Sequence, residues 1–152
     1  MIRVAVQDVS DAGRAPEADL SGARIRELVR ASLARFAQAG EVTVRLVEEA
    51  ESRELNRRWR GIDRPTNVLA FPSDRGLGEI GDIVICMPLV RSEAGGRGST
   101  PAAHLAHLVV HGCLHLAGLD HHEPEQTRAM ESLESELLKQ AGWPDPWAEE
   151  RA

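Results

Sequence analysis

The run PAAHLAHLVVHGCLHL, residues 101–116, constrains the fold more than any other part of this chain. Thr100 as N-cap and Pro101 at the first helical position open a helix here. At about 100° per residue, His104, His107, His111 and His115 fall within an arc of roughly 80°. Leu105, Val109, Cys113 and Leu116 take the opposite side, with Val110 and Leu114 on a flank. A helix that is apolar nearly all round belongs in a protein interior. Its one polar stripe then needs something to face.

The rest of the chain reads as elements able to surround that helix. Ile2, Val4, Val6 and Val9 suggest a first strand over residues 2 to 9, followed by a polar turn with Gly13 and Pro16. Ile25, Leu28, Val29, Leu33 and Phe36 recur at helical spacing, and Gly40 is expected to stop that helix. Val42, Val44 and Leu46 alternate as a second strand, and Glu48 to Trp59 is a short, charged helix. TNVLAF (66–71) and GDIVICM (81–87) are two further strands, separated by a connection with Pro72 and glycines. RSEAGGRGS (91–99) reads as a loop or frayed helix end. Glu123-Pro124-Glu125 opens a last helix with Met130, Leu133, Leu137 and Leu138 on one face, closed by Gly142. Strands and helices interleave without strict alternation, so an α+β layer with a mixed sheet is expected rather than a doubly wound fold. At 152 residues, the whole chain (1–152) is expected to form one domain.

Three histidines stand apart from the others. His111 and His115 are four apart on one helical face, so their ring nitrogens can converge on one ion. Gly118 can supply the left-handed turn that brings His121 back toward them. Three neutral imidazoles leave a fourth tetrahedral position open, the pattern of a catalytic zinc. Taken singly, His104 and His107 read as ordinary histidines satisfied by a carbonyl or carboxylate. His122 points away from its neighbour, toward the surface or a supporting role. Asp120 is either a carboxylate orienting a ligand imidazole or a turn residue. Cys113 lies about 180° from the stripe and is excluded as a ligand.

The spacing is that of zinc peptidases of the H-E-x-x-H-x-x-G-x-x-H type, yet Gly112 stands where they carry glutamate. Without that base, amide hydrolysis is disfavoured. Phosphodiester cleavage is helped more by charge neutralisation from a metal and an arginine. RELNRRWRGIDRPTN (53–67) carries Arg53, Arg57, Arg58, Arg60 and Arg64 against Glu54 and Asp63. For most of these arginines a solvated helix face is the expectation. Arg60 is the exception, since it precedes the Gly61 stop and can reach a neighbouring cleft. Trp59 either stacks on a base or anchors the helix to the core.

With these residues in hand, the sequence resembles the bacterial YbeY family of endoribonucleases, also called rRNA maturation factors. The resemblance rests on LNRRWRGIDRPTNVLAFP (55–72), GDIVIC (81–86), HLVVHGCLHLAGLDH (107–121) and MESLE (130–134). It implies an α+β fold with a mixed four-stranded sheet and zinc held by His111, His115 and His121, one ion per chain. It further implies a metal-dependent endoribonuclease specific for single strands. Such an enzyme acts in rRNA maturation, including late small-subunit processing, and in ribosome quality control. Arg60 takes the place of the family's functional arginine, so Arg60 and His111 are the expected catalytic residues. Leu119 and Ala70 depart from the family's usual aromatic and serine, which bears on substrate fit more than on chemistry.

A net charge of −6 argues against coating nucleic acid through bulk charge, so local patches must carry RNA binding. Expected partners are single-stranded RNA, in particular rRNA, with ribosomal subunits or their associated proteins, and neither DNA nor membrane. No stretch approaches a membrane span, and MIRVAVQDVS lacks a signal-peptide apolar core. Cys86 and Cys113 fit buried reduced thiols, and a cytoplasmic location is expected. Two other readings remain: a zinc peptidase, opposed by Gly112, and a noncatalytic RNA-binding or ribosome-assembly module with structural zinc. A fourth protein ligand such as Asp120 would favour the last.

Overall fold

The structure, a computed structural model, describes residues 1–10, 20–73 and 78–148. Its strands are β1 (Ile2–Asp8), β2 (Gly40–Val47), β3 (Val68–Pro72) and β4 (Glu79–Cys86). Its helices are α1 (Gly22–Leu33), α2 (Glu49–Arg60), α3 (Met87–Gly96), α4 (Pro101–Leu116) and α5 (Pro124–Gln140). The strands form one sheet in the order β1-β2-β4-β3. β1, β2 and β4 run parallel, and β3 closes one edge antiparallel to β4, pairing Val68 with Ile85 and Pro72 with Gly81. This is the mixed four-stranded sheet of an α+β fold, as expected. Pro72 is tolerated because it ends an edge strand.

The two faces of the sheet carry different partners. Val42, Val44, Leu46, Ile83 and Ile85 join α1, α4 and α5 in the main core. Val47, Leu69 and Val84 form a smaller cluster with Leu55 of α2 and Phe71 on the other face. The period-2 pattern of each strand therefore feeds two layers. α4 is the central helix: Leu105, Val109, Val110, Cys113 and Leu114 are all fully buried. Its start is as expected, with Thr100 Oγ1 accepting the Ala103 N–H at 3.1 Å and Pro101 in the first turn. α5 closes as expected at Gly142, where the Trp143 N–H reaches the Leu138 carbonyl at 2.8 Å.

Several expected boundaries move. α1 ends at Leu33, not at Gly40; the Phe36 N–H tightens onto the Leu33 carbonyl, and Gly40 begins β2. Val9 lies beyond β1 and is exposed, because its odd number breaks the even-numbered alternation of Ile2, Val4 and Val6. The segment 91–99 is not mainly loop: α3 runs to Gly96, with Val90 and Ala94 buried, and Met87 belongs to it rather than to β4. Its two glycines hid this helix, since burial against the core outweighs their poor propensity. The polar turn around Gly13 and Pro16, and residues 74–77 of the β3–β4 connection, lie outside the described residues. Cys86 and Cys113 are free and buried. No helix is long and apolar enough to cross a membrane, among the described residues.

Candidate metal centre and its cleft

α4 delivers His111 and His115 from successive turns, and the chain beyond it returns His121. The reversal centres on Gly118, whose φ of +95° lies in the left-handed region open to glycine. There the Gly118 N–H bonds the His115 carbonyl and the Leu119 N–H the Leu114 carbonyl, both at 3.0 Å. The His121 ring centroid then stands 5.5 Å from that of His111 and 5.0 Å from that of His115. One ring nitrogen from each of the three lies within 4.8 Å of the others, a set that could hold a metal ion.

The nitrogen geometry fits such an ion. Nε2 of His111 and Nε2 of His115 are 3.1 Å apart. Two nitrogens bound tetrahedrally at about 2.0–2.1 Å would stand roughly 3.4 Å apart. A carboxylate fixes which His111 nitrogen is free: Glu134 Oε2 accepts from His111 Nδ1 at 2.5 Å, leaving the Nε2 lone pair for a cation. Burial, then the neighbouring His111 and His115's other companion His121, push the His115 ring down to about 4, so it stands neutral.

Glu134 escaped the sequence reading. It is 1% exposed on α5 and also accepts from His107 Nε2 at 2.9 Å and Trp147 Nε1 at 3.0 Å. Burial alone would raise its pKa, but the His107 and His111 hydrogen bonds outweigh that and hold it at about 2. A signal existed: Glu134 lies four residues after Met130 and three before Leu137, on the apolar face of α5. A carboxylate there has to meet partners from another element.

The other histidines fall outside the cluster. His104 Nε2 pairs with Glu93 Oε1 at 2.8 Å and His107 Nε2 with Glu134, so each meets a carboxylate as the simpler reading expects, while His107 Nδ1 is buried with no hydrogen-bond partner among the described residues. His122 is exposed and meets Asp120 Oδ2 at 3.1 Å. Asp120 is a turn residue, since its Oδ1 accepts the His121 backbone N–H at 2.7 Å. Cys113 is fully buried away from the cluster.

The three histidines open into a cleft of about 610 Å³, lined also by Arg60, Asn67 and the β3 residues Val68 and Ala70. Arg60 arrives there because α2 ends beside it, with Gly61 as a left-handed cap. The buried face of α2 is polar and ties down the loop that follows. Ser52 Oγ donates to the Thr66 carbonyl and accepts its N–H, and Asn56 Nδ2 donates to the Arg64 carbonyl. Arg53 pairs with Asp63, and Arg57 and Arg58 with Glu54. Arg60 has no such carboxylate among the described residues, so its charge is free to meet a ligand. Trp59 is not a core anchor: it is 64% exposed.

Gly112 also lines the cleft, and packing explains it. A Cβ there would come within 2.8 Å of Ile83 Cγ2, on the fully buried centre of β4. The close approach of α4 to the sheet thus excludes a glutamate at this position.

Fold and site together define an α+β protein in which a histidine cluster able to hold a metal ion and an arginine line one cleft. The family model described as Endoribonuclease YbeY matches residues 14–142, and the chain belongs to that family. Among its relatives is the Endoribonuclease YbeY of Stutzerimonas stutzeri, 53% identical over 115 residues, 72% of either chain. That of Pseudomonas putida is 44% identical over 155 aligned positions, covering 99% of this chain and 96% of the relative. The solution structure of TM1509 from Thermotoga maritima is similar at a TM-score of 0.62 and 30% identity, covering 99% of this chain and 92% of that one.

Proposed function

We propose that this chain, working as one catalytic unit over residues 1–152, cuts single-stranded RNA internally using one zinc ion held by His111, His115 and His121. The observation that carries this is the shared cleft: the three histidines and Arg60, which has no carboxylate partner among the described residues, line the same space. A zinc ion bound there supplies a Lewis acid. His111 is held by Glu134 with its proton on Nδ1, so its Nε2 stays directed at the centre. Arg60 presents a planar fork of donors that neutralises charge growing on the scissile phosphate. Asn67, fixed by its Nδ2 bond to Glu93 Oε1 at 3.0 Å, shapes the same wall. Duplex RNA is excluded because its backbone cannot be splayed into such a cleft.

The proposed RNA is ribosomal, cut during late small-subunit rRNA maturation and in ribosome quality control in the cytoplasm, at or near ribosomal subunits; membership of an endoribonuclease family supports the RNA substrate. DNA and membranes are not substrates or partners. The peptidase reading is opposed by the packing that keeps Gly112 a glycine. The structural-zinc reading is opposed by Asp120, which is engaged with the His121 N–H and His122 rather than offered as a fourth ligand.

The test incubates zinc-loaded protein with single-stranded RNA, its duplex and an unstructured polypeptide, each beside a His111→Ala control. Internal cleavage of the single strand, absent from the control, is expected. Polypeptide cleavage that the control abolishes, with RNA intact, would install the peptidase reading instead.

A further inference from the structure

Trp59 is one of three large hydrophobic side chains exposed among the described residues, beside Met1 and Val9. Isolated exposed hydrophobics are ordinary and by themselves signify nothing. What distinguishes Trp59 is its surroundings. It precedes Arg60, which lines the histidine cleft, and their Cα atoms are therefore about 3.8 Å apart. On its other side, its ring meets Phe71 edge-on, with centroids 6.0 Å apart and planes at 61°. Phe71 sits on β3 between Ala70 and Pro72, and both of those line the cleft. Phe71 itself belongs to the cluster on the sheet face opposite α4, so Trp59 flanks the cleft beside the edge strand β3, joined to it through Arg60, rather than lining it.

We propose that Trp59, braced by Phe71, is a stacking subsite for one unpaired nucleobase of the RNA strand whose phosphate lies at Arg60. This rests on the endoribonuclease reading and extends it to how the strand is gripped. The edge-on contact orients the indole while leaving it mostly exposed, as a stacking platform requires. The charge around it matches a polyanion: the Arg58 side chain is 64% exposed, its Glu54 partner standing 4.0 Å away, and Arg60 has no carboxylate partner among the described residues. An aromatic face beside exposed cations is the combination that holds single strands without reading their sequence. A duplex offers no unstacked base to such a face, so the subsite also contributes to the choice of single strands.

The test measures cleavage of a single-stranded RNA oligonucleotide by zinc-loaded wild type, Trp59→Ala, Trp59→Leu and Trp59→Phe, with the melting temperature of each. Loss of one stacked base predicts that Trp59→Ala and Trp59→Leu raise KM about tenfold. Their kcat should stay near the wild-type value, and Trp59→Phe should retain most of the affinity. An abasic site walked along the oligonucleotide should reveal one position at which wild type and Trp59→Ala become equal. If Trp59→Ala leaves KM unchanged while RNA is cut normally, the subsite is refuted and the endoribonuclease reading stands. Loss that tracks lowered melting temperature equally in all three variants also refutes it, in favour of a structural role. If wild type neither binds nor cuts RNA, both readings fall together.

Discussion

Glu134 on α5 accepts a hydrogen bond from Nδ1 of His111 on α4 at 2.5 Å, across 23 residues of sequence. One carboxylate thereby sets the tautomer of a histidine whose other nitrogen faces His115, and it ties the last helix to the centre. His107 and Trp147 donate to its second oxygen, so the carboxylate receives three donors at once.

Glu134→Gln keeps the shape but turns an NH2 group toward a donor at one of those contacts. Metal affinity should fall about 10–100-fold, as for other carboxylates that support a ligand histidine. Competition with a chelator of known affinity measures this. Unchanged affinity would mean that the Glu134 bond does not orient His111.

The metal content of purified protein should be about one equivalent, and His111→Ala, His115→Ala or His121→Ala should lose most of it. His104→Ala should keep its metal, because His104 pairs with Glu93 and stands outside the cluster. Elemental analysis of each variant decides the matter; full occupancy in the triple alanine variant would remove the site.

Arg60→Ala should retain fold and metal while cleavage falls by roughly 10²–10³, the usual loss when one charge-stabilising donor is removed. Arg60→Lys should rescue poorly, since a point charge does not replace a planar fork. Arg57→Ala should change the rate little, because Arg57 is exposed and paired with Glu54. Equal, modest losses across the arginines would reduce the segment to a general electrostatic attraction.

Two glycines should fail for opposite reasons. Gly112→Ala pushes a methyl into Ile83 and should cost about 1–3 kcal/mol, offset by up to about 1 kcal/mol of helix propensity. Gly118→Ala meets no atom within 4 Å, so its cost is backbone strain of about 1–2 kcal/mol at φ +95°. Asn at 118 should recover part of that loss, whereas Asn at 112 should be worse than Ala. Thermal unfolding of the four variants checks both orders, and metal affinity should suffer at 118, where the turn places His121.

Much of this protein was legible in its sequence because the relevant signals are local. Helical spacing put His111 and His115 on one face of α4, and Gly118 marked the turn that returns His121. Alternation revealed the strands, and the Gly61 stop singled out Arg60 among its neighbours. The boundaries that moved were those where packing overrides local preference. α3 is helical through two glycines because Val90 and Ala94 are buried, and α1 ends early because Gly40 is taken up by β2. Sequence spacing could present His111 as a ligand but not say what holds its ring. That depended on docking α5 against α4, which brings Glu134 to His107 and His111 from 27 and 23 residues away. Likewise Gly112 was legible as a missing base, while its cause, the contact of α4 with Ile83, is a distance between two layers. Local chemistry sets which groups a helix or turn can offer; only the packing of separate elements decides which of those groups meet.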